Sequence, residues 1–213
     1  MARVSQEHLD ARRRQILDGA ARCFARSGFH ATSLQDVLDE VGLSNGAFYR
    51  YFRSKEELIA AIATDVFTLM RDTFENAAQA DPLPPDVLLG RVLNGVYDSR
   101  LSAAHPDLLG LPRLVVQVWA ETLRNPELSA LLAEGDAGVR AALAKLIRAY
   151  QEQGRIHSGV SADQMARTLI VVARGFAMQN ALFGDFEVDD LITGLRGLLA
   201  MIAVEDGHVA RRA

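Results

Sequence analysis

Residues 32–55 read TSLQDVLDEVGLSNGAFYRYFRSK, and this stretch decides the fold. Its first half carries apolar residues three and four positions apart, which predicts a helix with one buried face. Those residues are Leu34, Val37, Leu38 and Val41. Gly42 then stands where this helix must end, because glycine accepts the positive φ of a helix stop. Two short helices joined by a glycine-containing turn have the composition of a DNA-binding helix-turn-helix.

Hydroxyl residues mark three helix starts in the same stretch. Thr32 and Ser33, with Gln35 three residues after Thr32, predict the first N-cap, and Ser44 after the turn predicts the second. The backbone amides of these three residues can also hold phosphates. Ser54 with Glu57 has the pattern of a capping box, which opens a long helix over residues 54–80.

The second motif helix is predicted over residues 45–51, with Phe48 and Phe52 on its inward face. Tyr49 and Lys55 suit phosphate binding, although Tyr49 is also compatible with packing in the core. Arginine binds guanine edges and alanine packs on thymine methyl groups, but residues of this segment could equally face solvent. The predicted DNA contacts are Thr32, Ser33, Ser44, Asn45, Gly46, Ala47, Tyr49, Arg50, Tyr51 and Lys55.

Composition agrees with a DNA-binding piece attached to an acidic remainder. The 213 residues are 49% hydrophobic and carry a net charge of −4. Residues 1–55 hold 9 Lys and Arg against 6 Asp and Glu, a net of +3, so residues 56–213 carry −7. A basic amino-terminal piece indicates contact with a polyanion, although differences this small also arise by chance. The single Cys23, the lack of a signal peptide and the lack of a long apolar run predict a cytoplasmic protein.

The whole chain is predicted to be all-α, with about nine helices and almost no strand signal. We divide it into a DNA-binding domain, residues 1–53, and a ligand-binding and dimerisation domain, residues 54–213. Outside the motif, helices are predicted over residues 8–27, 54–80, 86–103, 114–123, 126–153 with a kink at 135–138, 161–183, and from 188 or 189 to 204.

The motif resembles the DNA-binding signature of tetracycline-repressor (TetR) family regulators. The matching residues are Thr32, Asp36, Val37, Val41, Gly42, Ser44, Gly46, Phe48, Tyr49, Tyr51, Phe52, Ser54 and Lys55. Residues 119–121 and 125–128 are similar to the ligand domain of betaine-regulator-like members. The resemblance implies a homodimer on a palindromic operator, with half-sites about 34–36 Å apart or somewhat more. It also implies a small apolar or amphipathic effector whose binding releases DNA.

The chain departs from the family pattern at Leu38, where a small residue is common, and at Asn45 and Arg50. Asp39 and Glu40 add two negative charges at the end of the first motif helix. These departures concern the operator sequence.

Other classes of function have weaker support in the sequence. Residues 42–46 match the G-x-S-x-G nucleophile elbow, but that motif requires a strand before the serine. The five histidines form no metal-binding pattern, so we expect neither a metal nor a cofactor. A helical enzyme, and a regulator controlled by a protein partner instead of a small ligand, remain the alternatives.

Two further sets of residues are predicted for the carboxyl-terminal domain. Arg174 lies in an apolar helix and needs a partner, which Glu121 or Asp98 could supply, within a ligand site or in a structural ion pair. The predicted ligand residues are Met70, Phe74, Tyr97, Gln117, Trp119, Glu121, Arg174 and Met178. The last two helices are predicted to pair across a dimer axis or, alternatively, to close the monomer core. The residues predicted for this interface are Ala173, Phe176, Ala177, Asn180, Ala181, Leu191, Leu195, Leu198, Leu199 and Ile202.

Overall fold

The computed structural model of the chain describes residues 6–79, 87, 90, 94, 110–184 and 187–209. Every regular element in these ranges is an α-helix, which confirms the all-α prediction. Most of the predicted helix over 86–103, including Tyr97 and Asp98, lies outside the described residues. The eight helices in the described ranges are α1 (Gln6–Ser27), α2 (Leu34–Val41), α3 (Asn45–Phe48), α4 (Lys55–Gln79), α5 (Gly110–Thr122), α6 (Pro126–Glu152), α7 (Ala162–Leu182) and α8 (Val188–Val209).

Helix ends that carry a local signal lie where the sequence predicts them. Gly28 follows α1 at φ 86°, and Asn125 caps α6 by accepting a hydrogen bond from the Leu128 N–H. Ser161 caps α7 through a capping box with Gln164. The prediction is wrong at the end of α8, which continues to Val209 instead of stopping near residue 204.

The largest apolar cluster joins α1, α2 and α3 to the rest of the chain. Phe24, Phe48 and Phe52 are almost completely buried in it. Leu58 from α4 and Leu128 from α6 belong to the same cluster. The predicted domain boundary between residues 53 and 54 therefore lies within a continuous apolar cluster. Because the cluster is closely packed, a rotation of α4 or α6 would move the helix-turn-helix.

Two smaller clusters complete the described core. One joins α4 to α6 and α7 around Phe74, Leu143 and Tyr150. The other joins α7 to α8 through Phe176, Val188 and Ile192. None of the described helices is long and apolar enough to cross a membrane.

Helix α6 is continuous through residues 135–138, where the sequence predicts a kink. The ring of Phe67 lies directly against the backbone of Gly135, and a Cβ at that position would be 2.3 Å from Phe67 Cδ2. Gly135 therefore permits close approach of α4 and α6. Gly138 has open space around it and makes no such close approach.

Candidate nucleic-acid interface

The first motif helix begins after Ser33 and not after Thr32. Ser33 Oγ accepts a hydrogen bond from the Asp36 N–H at 3.2 Å, and the Asp36 carboxylate accepts one from the Ser33 N–H at 2.7 Å. This is a capping box with aspartate at the third position, so the predicted cap at Thr32 with Gln35 is wrong. The bond from the Ser33 N–H, helped by one from its hydroxyl, lowers the pKa of Asp36.

Thr32 is instead a buried structural residue, 1% exposed. Its hydroxyl lies 2.7 Å from the carbonyl oxygen of Gly28 and 3.1 Å from that of Cys23. Its backbone N–H also donates to the Gly28 carbonyl. The backbone amide with which Thr32 was expected to hold a phosphate is therefore used inside the protein, as is its hydroxyl.

The turn between the motif helices has the predicted chemistry. Gly42 has a φ of 66°, and its N–H donates to the carbonyl of Leu38. Ser44 follows in an extended conformation and accepts a hydrogen bond from the Ala47 N–H at 3.4 Å. The direction of α3 is thus set by a left-handed glycine and a serine cap.

Helix α3 is shorter than predicted, because regular helix ends at Phe48. The chain continues as a turn in which the Tyr51 N–H donates to the Phe48 carbonyl at 2.8 Å. Phe48 is 0% exposed and Phe52 is 2% exposed, which confirms that both face inward. These two rings fix the outer face of the turn relative to the core.

The outer face of α3 and its following turn is open to solvent. Asn45, Gly46 and Arg50 are exposed, and Ala47 and Tyr51 are half-buried. Tyr49 is 56% exposed, with its ring edge against Phe48 at a centroid distance of 5.6 Å. The surface position of Tyr49 argues against the alternative that it is a core residue.

Two arginines near this face, Arg53 and Arg13, are not among the DNA contacts predicted from the sequence. Arg53 is exposed just after the turn. Arg13 from α1 lies over the ring of Phe52, with its Cζ 5.3 Å from the ring centroid. The signal that could have found Arg13 is the run of three arginines at 12–14, on the helix that the motif packs against.

The acidic residues at the end of α2 are compensated. Glu40 pairs with Arg22 at 2.7 Å and with Arg26 at 3.4 Å, both from α1. The hydrogen bond from Arg22 is the main reason that the pKa of Glu40 is lowered. Asp39 accepts a hydrogen bond from the Gln35 amide at 2.7 Å. The charge of Glu40 is therefore directed to α1 and not to the face of α3.

Lys55 is committed to the turn between α1 and α2. Its Nζ donates to the carbonyl oxygens of Phe29 at 2.7 Å and Thr32 at 2.9 Å, and lies 4.3 Å from the centroid of the Phe29 ring. Lys55 was predicted to bind phosphate, but these carbonyls compete with a phosphate for its ammonium group. Of the predicted capping box at Ser54, one half is present, since the Glu57 N–H donates to Ser54 Oγ while the Glu57 carboxylate accepts from the Arg53 N–H.

Helix α5 holds the same turn from the other side. Gln117 Oε1 accepts a hydrogen bond from the Phe29 N–H at 2.7 Å, and Glu121 lies 3.0 Å from His30 Nε2. Arg124 is 3.5 Å from the same histidine nitrogen. Gln117 and Glu121, which the sequence analysis placed in the ligand site, therefore contact the DNA-binding helices. We call this contact the junction: Phe29 and His30 with Lys55, Gln117 and Glu121.

The other predicted ligand residues do not form one group. Met70 and Phe74 belong to the cluster of α4, α6 and α7. Arg174 pairs with Asp136 of α6 and not with Glu121, and its Cζ lies 5.8 Å from the centroid of the Trp119 ring. The remaining two are Met178, which is exposed, and Tyr97, which lies outside the described residues.

The predicted dimer residues also divide. Phe176 and Ala177 are 4% and 6% exposed within one chain, so at these positions the alternative of a monomer core is favoured. Leu198 is 61% exposed. The others with described side chains are half-buried: Ala173, Asn180, Ala181, Leu191 and Leu195. Leu199 and Ile202 lie in α8, but their side chains are outside the described part.

Comparison with known proteins adds independent information. The family model for bacterial regulatory proteins of the tetR family matches residues 16–62. The model for the carboxyl-terminal part of BetI-type transcriptional repressors matches residues 111–204. The second match agrees with the likeness seen at residues 119–128.

Whole-length relatives point the same way. The chain is 32% identical to the HTH-type transcriptional repressor Rv1474c of Mycobacterium tuberculosis, over 82% of this chain and 85% of that protein. Its fold matches Salmonella enterica GusR at 24% identity and a TM-score of 0.66, covering 93% of this chain and all of that one. It also matches a transcriptional regulator from Saccharomonospora viridis in complex with choline, at 25% identity and a TM-score of 0.69, over 90% and 96% of the two chains. The chain belongs to the TetR family of bacterial transcriptional regulators, which are DNA-binding proteins and not enzymes.

Proposed function

We propose that this chain is a repressor that binds a palindromic operator as a homodimer in the cytoplasm and leaves it when a small apolar or amphipathic ligand binds. The observation that carries the proposal is the surface of α3 and its turn. Tyr49 and Arg50 are exposed there while the neighbouring Phe48 is completely buried. A polar aromatic and a cation held outward by a buried anchor suit contact with phosphates and base edges.

The contacts divide by chemistry. Arg50 is our candidate for a guanine edge, with Asn45 and Ala47 beside it for other bases. Ser44, the cap of α3, remains a candidate for the DNA backbone through its amide, with Tyr49 as a phosphate contact. The Ser33 N–H is already used by the Asp36 carboxylate, which leaves its exposed position beside the motif as the reason to keep Ser33 as a candidate. Gly46 leaves open space, since a Cβ there would meet nothing within 4 Å. Tyr51, which is half-buried, contributes at the rim.

Two of the original candidates take a different part in this proposal. Thr32 and Lys55 act by positioning, because their polar groups bind carbonyls within the protein. They hold the turn before α2, and so fix the angle at which the motif meets DNA.

The experiment measures binding to an operator selected from a random duplex pool, by fluorescence anisotropy at fixed salt. Arg50→Ala should weaken the selected site by about tenfold, because one bidentate base contact contributes about 1–3 kcal/mol. Tyr49→Phe should weaken all sequences by a smaller factor, because only a phosphate contact is lost. The matched control is Arg148→Ala, an exposed arginine on α6. If Arg50→Ala and Arg148→Ala bind the selected operator with equal affinity, the surface of α3 and its turn is not the contact surface for DNA.

The dimer is proposed from an apolar face that one chain leaves uncovered. On α7, Val171 is 65% exposed, Met178 is 39% exposed and Leu182 is 62% exposed. These residues are seven and four positions apart, so they form one stripe along the helix. Gly175 lies on the same stripe with open space around it, which allows a second helix to approach closely.

Helix α8 continues this face. Leu198 is 61% exposed, and Leu191 and Leu195 are half-buried on the same side. Gly194 lies between them, again with open space at its missing Cβ. We propose that α7 and α8 of two chains form a four-helix interface on these residues.

The ligand is placed in the carboxyl-terminal domain, in contact with α4. Met70 and Phe74 remain our candidates, because they lie on the helix whose first residue, Lys55, holds the turn before α2. The similar regulator from Saccharomonospora viridis was crystallised with choline. A ligand that displaces α4 would change the orientation of the motif through the junction, which is a coupling between two sites.

A further inference from the structure

A single buried hydroxyl stands out in the apolar cluster of α4, α6 and α7. Tyr150 of α6 is 2% exposed. Its hydroxyl oxygen is buried and has no hydrogen-bond partner in the part of the chain that the structure describes. Burial raises the pKa of Tyr150, so the group is a neutral hydroxyl.

Tyr150 lies in a cluster of hydrocarbon and thioether groups, and the positive charge of Arg155, just after α6, opposes the effect of burial on its pKa. Its cluster includes Phe74 from α4, Leu146 and Ile147 from α6, and Ala166 from α7. Met70 and Met165 pack against the cluster and are only partly buried. Methionine side chains are flexible and adapt to the shape of a bound molecule.

An unpaired buried hydroxyl destabilises the folded protein. Removing it from water without a new partner costs about 1–3 kcal/mol, and phenylalanine would fill the same space without that cost. The ligand-free protein thus gains nothing from the oxygen of Tyr150. The oxygen becomes favourable when a molecule that enters the cluster supplies its missing partner.

We propose that the Tyr150 hydroxyl is the hydrogen-bonding anchor of the effector site, and that the effector is an uncharged, mainly apolar molecule with one oxygen acceptor, such as a ketone, an ester or an alcohol. A cationic effector is disfavoured, because one neutral hydroxyl among apolar groups does not compensate the loss of hydration of a cation, and the positive charge of Arg155 repels it. The proposal rests on the proposed function and names the ligand class of that same regulator.

The position of the site gives it access to the DNA-binding helices. Phe74 lies near the end of α4, and the first residue of α4 is Lys55. A molecule that separates Phe74 from α6 therefore acts on the helix that holds the Phe29 turn. Phe67, which packs on Gly135 of α6, lies between these points, and α4 could pivot there.

The test uses Prodan, an uncharged naphthalene ketone whose emission moves to longer wavelength when its carbonyl accepts a hydrogen bond. The wild-type chain should bind the dye, and Tyr150→Phe should bind it about three- to tenfold more weakly, the loss expected for one hydrogen bond. The emission of the bound dye should lie at shorter wavelength in Tyr150→Phe than in the wild type. Ile147→Leu, a change of shape in the same cluster, is the control for stability, and Ile192→Leu, in the separate cluster of α7 and α8, is the control that should leave the emission unchanged.

The melting temperature without dye provides a second measurement. Tyr150→Phe should melt at the wild-type temperature or a few degrees above it, because the hydroxyl has no partner to lose. If Tyr150→Phe melts several degrees lower than Ile147→Leu, the hydroxyl has a hydrogen-bond partner without ligand, and the proposal is overturned. The same holds if the wild type does not bind the dye, or if both proteins bind it with equal affinity and emission.

The proposed function is tested separately in the same samples by anisotropy with the selected operator. If the dye experiment fails while operator binding is intact, Tyr150 is not the anchor of the effector site, and the proposal that the chain is a repressor stands. Loss of operator binding would remove the repressor whatever the dye does.

Discussion

The helix-turn-helix unit and the face of α7 and α8 treat their side chains in opposite ways. In the first, Phe24 and Phe48 are fully buried and the polar groups of Thr32 and Lys55 bind backbone carbonyls. In the second, Val171 and Leu198 are both more than 60% exposed. The amino-terminal unit buries its large apolar side chains within one chain, whereas the carboxyl-terminal face leaves Val171 and Leu198 exposed.

The difference follows from what each region binds. DNA is polar, so its contact surface must remain hydrated and rigid before binding, and a well-packed core supplies the rigidity. We propose that the apolar face binds a second copy of the chain, since one copy alone leaves this area in water. The exposed Leu198 of α8 and the buried hydroxyl of Thr32 beside the helix-turn-helix are therefore two consequences of function.

The largest effect should come from a charge placed on the exposed stripe. Val171→Glu would bury two carboxylates near the dimer axis, which costs about 3 kcal/mol or more and raises the dimer dissociation constant at least about a hundredfold. The folded monomer should be nearly unchanged, because Val171 is 65% exposed in one chain. Light scattering at micromolar concentration measures the mass.

The matched control for this variant is Val160→Glu, on the loop before α7, where valine is 51% exposed. It should remain a dimer. If both variants have the wild-type mass, the interface lies elsewhere, and a monomeric wild type would contradict the dimer altogether.

The junction should give the next largest effect. Lys55→Met keeps the apolar stem but leaves the carbonyls of Phe29 and Thr32 without their charged donor, so the free energy of unfolding should fall by about 2–3 kcal/mol. Lys145→Met, an exposed lysine on α6, is the control and should change it little. Urea denaturation measures both.

Lys55→Met also decides between the two assignments of this residue. A stable variant with weakened operator binding would restore Lys55 as a phosphate contact, as the sequence predicted. A destabilised variant whose affinity for DNA recovers at low temperature would assign it to positioning.

Features set by neighbouring residues could be predicted from the sequence. Gly42 and Ser44 define the turn because the glycine conformation and the serine cap act within four residues. Ser161 and Asn125 begin their helices for the same reason. Thr32 and Ser33 were harder, since adjacent hydroxyls both suit a cap, and the choice depends on Asp36 accepting from Ser33.

Features set by distant residues could not be predicted. Gln117 binds the N–H of Phe29, 88 residues earlier in the chain. Arg174 finds Asp136, 38 residues away, and not the glutamate that its apolar helix suggested. Gly135 gave the local signal of a kink, but its use is the approach of Phe67 from another helix. Helical periodicity shows that a face is buried and does not show against what.

The smallest effect concerns Glu40, whose ion pair with Arg22 connects α2 to α1 in the helix-turn-helix unit. Its carboxylate is 21% exposed and pairs with Arg22, and that hydrogen bond holds the pKa of Glu40 below its ordinary value of 4.5. A lowered folded-state pKa stabilises the protein above the pKa of the unfolded chain. The contribution is lost as the pH falls through the lower, folded-state pKa.

Glu40→Gln removes this titration and leaves a weaker, neutral hydrogen bond. At pH 7 the variant should be less stable by about 0.5–1 kcal/mol, a modest value because the pair is partly exposed and screened by solvent. The difference should shrink as the pH falls below the ordinary pKa of glutamate and vanish below the lowered folded-state pKa, where the wild-type carboxylate is also protonated. Urea denaturation from pH 3 to pH 7 checks this, with Glu134→Gln, exposed on α6, as the control that shows no such trend. A stability difference that is constant across this range would mean that the packing of Glu40, and not its charge, ties α2 to α1.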